Sequence, residues 1–278
     1  VTAFSPAWLA LREPADVMAR NSKVIDECRR YFAERESVTV CDLGAGTGAS
    51  VRAFADILPQ RQYWSLVDHD RRNLAAAVDA LSNWSDAASM SGENLILRRG
   101  PRHIEIRLHA FDFARDPAPC WTAETDLVTA SALLDLVSQD WITRFSDGLS
   151  ELDAAVLATL TFDGTIIADP AHPLDASVAE AFRLHQTRDK GFGPAAGPDA
   201  MRHLQQSMEK SGYTVVSGRS PWHLQDHTSE LFIHTVEGIA DAVRETGKVG
   251  AVDDWLQARL SDTRLLTIGH HDVFVHRT

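Results

Sequence analysis

The chain has 278 residues, 44% of them hydrophobic, and a formal net charge of −12, enough to bury the core of one large domain. That acidity opposes extended contact with a phosphate backbone, and no apolar run reaches the roughly 18 residues that membrane spanning needs. The three cysteines, Cys28, Cys41 and Cys120, have no C-x-x-C spacing, which argues against a disulfide framework or a thiolate zinc site.

The opening stretch VTAFSPAWLALREPAD has too few consecutive apolar residues for a signal peptide, so a soluble, cytoplasmic protein is expected. Val17, Val24, Ile25 and Phe32 recur at helical spacing among charges and predict an amphipathic helix over 15–35, within a helical lead-in spanning 1–36. SVTVCDL (37–43) reads as a strand ending in a glycine loop. Val51, Phe54, Ala55 and Leu58 then mark a helix. The unit repeats with a strand at 62–68 and a helix carrying Leu74, Val78 and Leu81. SNWSDAASMSGENL reads as a loop. Arg98, Arg99 and Arg102 form the only basic cluster and are read as surface.

Further strands are expected at 103–113, 125–131 and 154–162, with Asp163-Gly164 turning a hairpin before TIIAD. Alternating strands and helices predict a mostly parallel sheet covered on both faces. Past residue 170 the pattern changes. A helix carries Leu174, Val178 and Phe182, the segment 170–198 ends in a Gly/Pro-rich loop, and a helix from Asp199 stops near Gly212. GYTVVSG is a sixth strand, 226–262 a helical insertion, and 264–277 a seventh strand with Gly269 as a bulge position. No linker demands a second domain.

Three glycines, Gly44, Gly46 and Gly48, follow the first strand, with Asp42 just ahead of them. A backbone without Cβ atoms turns tightly and approaches a ligand closely. In the dinucleotide pattern G-x-G-x-x-G the third glycine comes one residue later, and a carboxylate at position 42 would repel a diphosphate.

The run Asp42-Leu43-Gly44-Ala45-Gly46-Thr47-Gly48 resembles the first motif of class I S-adenosylmethionine-dependent methyltransferases. The resemblance covers 15–170 and, by topology, the final strand. It implies an α/β, Rossmann-like fold: a seven-stranded, mostly parallel sheet with helices on both faces, and an antiparallel last strand inserted between the fifth and sixth. It also implies S-adenosylmethionine as cofactor, with Asp42, Gly44, Ala45, Gly46, Thr47 and Gly48 around it. Asp68 then stands where an acid bonds both ribose hydroxyls, and His69 or Asp70 borders the adenine. Asp112 would reach the adenine amino group with Phe113 on the ring. Ser131 and Leu133 would line the methionine side, and Arg20 would pair with the carboxylate.

The expected reaction is transfer of a methyl group to an O, N or S atom of a small molecule. A protein or tRNA methyltransferase and a non-catalytic, S-adenosylmethionine-binding regulatory protein are the alternatives. A polyamine synthase-like aminopropyl transferase would need an acidic motif that a lone Asp135 does not supply. Catalytic candidates near the strand ends are Asp135, Asp163 and His185. Candidates for the acceptor are Thr161, His172, His185, Arg188 and Lys190, with the loop 185–198 shaping its pocket. No metal is expected from His270-His271 and His276, since neighbours on a strand point to opposite faces. Nucleic acid and membrane are disfavoured as partners.

Overall fold

The computed structural model describes residues 4–277. Two helices open the chain, α1 (Pro6–Ala19) and α2 (Ser22–Phe32), where the 15–35 pattern predicts one. The break falls at Arg20-Asn21 because Asn21 caps α2. Its side-chain oxygen accepts from the Val24 amide at 3.3 Å, and its own backbone N–H donates to Asp272 at 2.7 Å.

Strands and helices then alternate: β1 (Ser37–Leu43), α3 (Ala49–Phe54), β2 (Arg61–Asp68), α4 (Arg71–Trp84), β3 (Ala87–Ser91), β4 (Asn94–Arg99), β5 (Arg102–Ala110) and β6 (Leu127–Ser131). The second half holds α5 (Gln139–Leu152), β7 (Ala155–Asp169), α6 (Asp175–Gln186), α7 (Ala200–Lys210), β8 (Thr214–Arg219), β9 (Trp222–Leu224), α8 (Glu230–Thr246), α9 (Val252–Asp262) and β10 (Leu265–His276).

The sheet runs β3-β4-β5-β2-β1-β6-β7-β10-β8. From β5 to β7 all pairs are parallel, and β10 is antiparallel to both β7 and β8. Without β3, β4 and β9 this is the Rossmann-like arrangement expected, its last strand inserted between the fifth and sixth of the seven. Alternation divides β1 between two cores. Val38 and Val40 join the α2, α3 and α4 side; Cys41 and Leu43 join the α5 and α7 side.

Two local expectations are corrected. The polar stretch after Leu81 is not a loop: α4 continues to Trp84, and β3 and β4 form a hairpin turning at Gly92-Glu93. Every residue of β3 is exposed, so no alternating apolar signal marks it. Asp163-Gly164 does not turn a hairpin either. Gly164 has φ +87°, yet β7 runs on to Asp169 because both of its halves pair with β10. The extra residues are taken up as a bulge opposite Gly269, where a Cβ would collide with the Asp163 carboxylate.

Beyond that bulge, β7 and β10 carry a third core. Phe162, Leu266 and Ile268 pack there with Val178 of α6, Phe232 and Val236 of α8, and Trp255 of α9. Among the described residues, no helix is long and apolar enough to cross a membrane.

Candidate functional site

In an open parallel sheet the ligand crevice lies at the carboxyl ends of the strands where the order reverses. Here that is between β1 and β6, and the glycine turn follows β1. Gly44, Gly46 and Gly48 have φ of +67°, +53° and +75°, the left-handed region that a Cβ penalises. A Cβ on Gly46 would stand 2.8 Å from Leu9 of α1, and one on Gly48 2.8 Å from Leu81 of α4. The loop is therefore clamped between a helix above and a helix behind.

Most of the turn's amides are already engaged. Gly44 and Ala45 donate to the Val67 carbonyl (2.9 and 3.1 Å), Gly48 to the Ala45 carbonyl (2.9 Å), and Gly46 to Asp68 Oδ2 (2.8 Å). A phosphate site needs such amides free. Asp68 Oδ1 accepts from the Asp70 amide at 2.8 Å, which leaves each carboxylate oxygen a further lone pair. Asp68 ends β2 on the crevice wall, only 6% exposed.

The crevice encloses about 130 Å³. Of the expected cofactor residues, Gly44, Ala45, Gly46, Thr47, Asp68, His69, Phe113, Ser131 and Leu133 line it. Four others do not, among them Gly48, which abuts Leu81 of α4. The Asp42 side chain turns into the sheet, where Oδ1 accepts from Thr129 Oγ1 at 2.6 Å. Burial pushes its carboxyl up to about 7, opposed by hydrogen bonding from Thr129 and Ser50. Asp112 is exposed and caps a turn, accepting from the Ala114 amide. Arg20 lies over the Phe54 ring at 5.3 Å amid the charges of Asp16, Asp272 and Glu13, its Nε and Nη1 without a hydrogen-bond partner among the described residues.

Helix α1 roofs the crevice. Glu13 makes a bidentate pair with Arg52 of α3 (2.7 and 2.6 Å), and Asn73 of α4 donates to the Phe4 carbonyl at 3.2 Å. Arg12 and Asp16, both on the crevice wall, form a second bidentate pair (2.9 and 3.1 Å). The Trp222 indole N–H bonds Asp16 at 3.0 Å, and the Arg12 guanidinium lies 4.9 Å from the Trp222 ring centre. Sequence reading missed these residues. The i,i+4 spacing of Arg12 and Asp16 marks a helical ion pair, but such pairs are usually on solvated faces.

A second cavity of about 400 Å³ opens beside the first, and Phe4, Leu136 and Phe192 belong to both walls. Of the expected acceptor and catalytic residues, Asp135, His185 and Lys190 line it. Burial pushes the Asp135 carboxyl up to about 6, against the pull of nearby amides and of Arg12 and Lys190. His185 bonds Glu245 at 3.0 Å and Lys190 Nζ at 3.4 Å. Burial lowers both His185 and Lys190.

The remaining four lie on neither wall. Arg188 pairs outward with Glu245, and His172 Nδ1 accepts from the Leu174 amide within a turn. Thr161 is buried inside β7. Asp163 serves the bulge: burial alone would raise its carboxyl, but His271 and Thr165 hold it at about 2. Among the described residues, no three His, Cys, Asp or Glu side chains converge as metal ligands would.

The segment after α6 is a built turn. Asp189 accepts from the Gly191 and Gly193 amides (2.7 and 3.0 Å), and the Ala196 amide bonds the Val137 carbonyl at 2.7 Å. The turn carries Phe192 in between the two cavities.

No protein-family model and no curated protein matches the chain. Among solved structures, it is similar to an S-adenosylmethionine-dependent methyltransferase from Thiobacillus denitrificans in complex with S-adenosyl-L-homocysteine (14% identity, TM-score 0.47, 99% of this chain and 100% of that one). It is similar also to the cyclopropane synthase MmaA2 from Mycobacterium tuberculosis (10%, 0.46, 90% and 82%). A third is the precorrin-6y C5,15-methyltransferase from Geobacter metallireducens (9%, 0.45, 94% and 90%).

Proposed function

We propose that the chain is an S-adenosylmethionine-dependent methyltransferase acting on a small molecule. The observation that carries the reading is the state of the glycine turn: its amides are spent within the protein, and what faces the crevice is the Asp68 carboxylate. Such a wall repels a pyrophosphate and accepts hydroxyls and a cationic nucleoside. Asp68 keeps free lone pairs for two ribose hydroxyls, Phe113 offers a ring face to adenine, and Ser131 and Leu133 line the far end.

When bound, S-adenosylmethionine supplies a methyl group on a positively charged sulfur. The protein's part is then to hold the acceptor in line with that methyl, and such positioning alone removes about 7–11 kcal/mol of a barrier. Helix α1 excludes water from above. Asp135, on the wall of the second cavity, is the group assigned to take a proton from the acceptor. Arg20 is assigned to the cofactor carboxylate on the strength of its unpaired nitrogens, and His185 and Lys190 to the acceptor's outer end.

Calorimetric titration with S-adenosylmethionine, S-adenosylhomocysteine and NAD tests the reading. The first two bind and NAD does not; binding of NAD alone refutes it. A labelled-methyl screen against extract then reports transfer.

A further inference from the structure

The second cavity has an unusual wall. Rings of Phe162 and Phe182 meet edge to face at 5.5 Å, and Trp222 and His270 lie 5.3 Å apart. Its volume of about 400 Å³ falls within the roughly 300–1,000 Å³ of small-molecule pockets. Three residues of this wall carry a buried polar atom with no hydrogen-bond partner among the described residues: Asp135 at Oδ1, His270 at Nδ1 and Trp8 at Nε1. Asp135 and His270 are 8% and 6% exposed. Buried polar groups are nearly always bonded, so three orphans around one cavity point to an occupant.

The chemistry of the orphans restricts that occupant. A carboxylate only accepts, an indole N–H only donates, and a neutral imidazole does one at each nitrogen. Burial holds His270 down to about 3, so it is neutral. The occupant must therefore both donate and accept. A hydroxyl does both, whereas an ammonium has no lone pair for Trp8. The charges agree: Arg12 and Lys190 both act on Asp135, and a further cation beside them is repelled. A carboxylate is repelled by Asp135 itself.

We propose that this cavity is the acceptor site, and that it takes a flat aromatic molecule bearing a hydroxyl, its ring among Phe162, Phe182 and Trp222 and its oxygen at Asp135. The proposal rests on the methyl-transfer reading. Asp135 is the sequence neighbour of Leu136, which belongs to both walls, and the proposal sets the hydroxyl on that side of the cavity, toward the crevice. In the reaction, the hydroxyl oxygen bonds to the methyl carbon as the methyl–sulfur bond breaks, its electron pair staying on sulfur. The hydroxyl proton goes to Asp135, and the product is an aryl methyl ether.

Calorimetry without cofactor tests the site, using 2-naphthol, 2-methoxynaphthalene and 2-naphthylmethylamine as probes. The naphthol binds at least tenfold more tightly than the ether and the amine. Asp135→Leu erases that preference while the ether still binds. Gly238→Leu gives a second variant that keeps the fold, because a Cβ on Gly238 of α8 meets nothing within 4 Å and the position lines the cavity. It blocks all three probes and leaves S-adenosylhomocysteine binding intact. Equal binding of the probes, a preference for the amine, no binding, or a hydroxyl preference that survives Asp135→Leu overturns the proposal. If S-adenosylhomocysteine binds and naphthol does not, only the acceptor assignment falls. If naphthol binds and S-adenosylhomocysteine does not, the methyl-transfer reading falls and takes the acceptor role with it.

Discussion

Asp68 Oδ2 accepts a hydrogen bond from the Gly46 amide at 2.8 Å, so the end of β2 fixes the turn that follows β1. One carboxylate thus shapes the cradle and faces its contents. Asp68→Ala leaves the Gly46 amide buried without a partner, a loss of about 1–3 kcal/mol. Thermal unfolding shifts down accordingly, and calorimetry shows S-adenosylhomocysteine affinity falling at least tenfold. Asp68→Asn keeps one acceptor oxygen and recovers most of the stability but little of the affinity.

Gly46→Ala places a methyl group 2.8 Å from Leu9 at a φ of +53°. A non-glycine residue in that region costs about 1–3 kcal/mol. The melting temperature falls, and α1 lifts from the turn. Gly46→Ala combined with Leu9→Ala relieves the collision but not the backbone strain, so the double variant recovers only part of the loss.

The Glu13–Arg52 pair is one of the polar ties holding α1 over the crevice. Arg52→Ala removes it together with the bond to the Thr47 carbonyl. Hydrogen exchange over residues 6–19 quickens in the variant, and bound S-adenosylhomocysteine dissociates faster. Unchanged exchange shows that packing and the Asp16–Trp222 bond secure the roof without it.

Asp42 makes stability depend on pH. Its folded-state value of about 7 lies above the ordinary 3.8, so the folded protein binds the extra proton. That contribution is full below pH 4 and is lost as the pH rises through 7. The groups around it are Thr129, Ser50, Asp68 and Arg20. Asp42→Asn cannot ionise, so its melting temperature gains on the wild type between pH 5 and pH 8. A constant difference across that range shows that Asp42 is charged throughout.

The floor of the crevice was legible because local rules decide it: a strand pattern, glycines where φ is positive, an acid at the end of the next strand. Asp68 stands on the crevice wall where those rules put it, and Phe113 and Ser131, expected from the family resemblance, line the same crevice. The roof was not legible. Arg12, Asp16 and Trp222 meet only after α1 folds back over the sheet, and a contact spanning 206 residues, as between Asp16 and Trp222, has no periodic trace. Asp42 was misplaced for a related reason: its motif position is recognisable, but the side-chain direction follows from the alternation of β1, which turns it toward Thr129. The hairpin after α4 escaped because its outer strand buries nothing, and Asp163-Gly164 misled because a turn dipeptide also suits a bulge.

The bulge shared by β7 and β10 has one more effect. Because both ribbons pass through it without interruption, the strand paired with β6 beside the crevice and the seat of α6, α8 and α9 are parts of one beam. On the proposed reading, altering the outer helices changes which guest is admitted while the crevice stays in register, so selectivity can drift through mutation without dismantling the glycine turn.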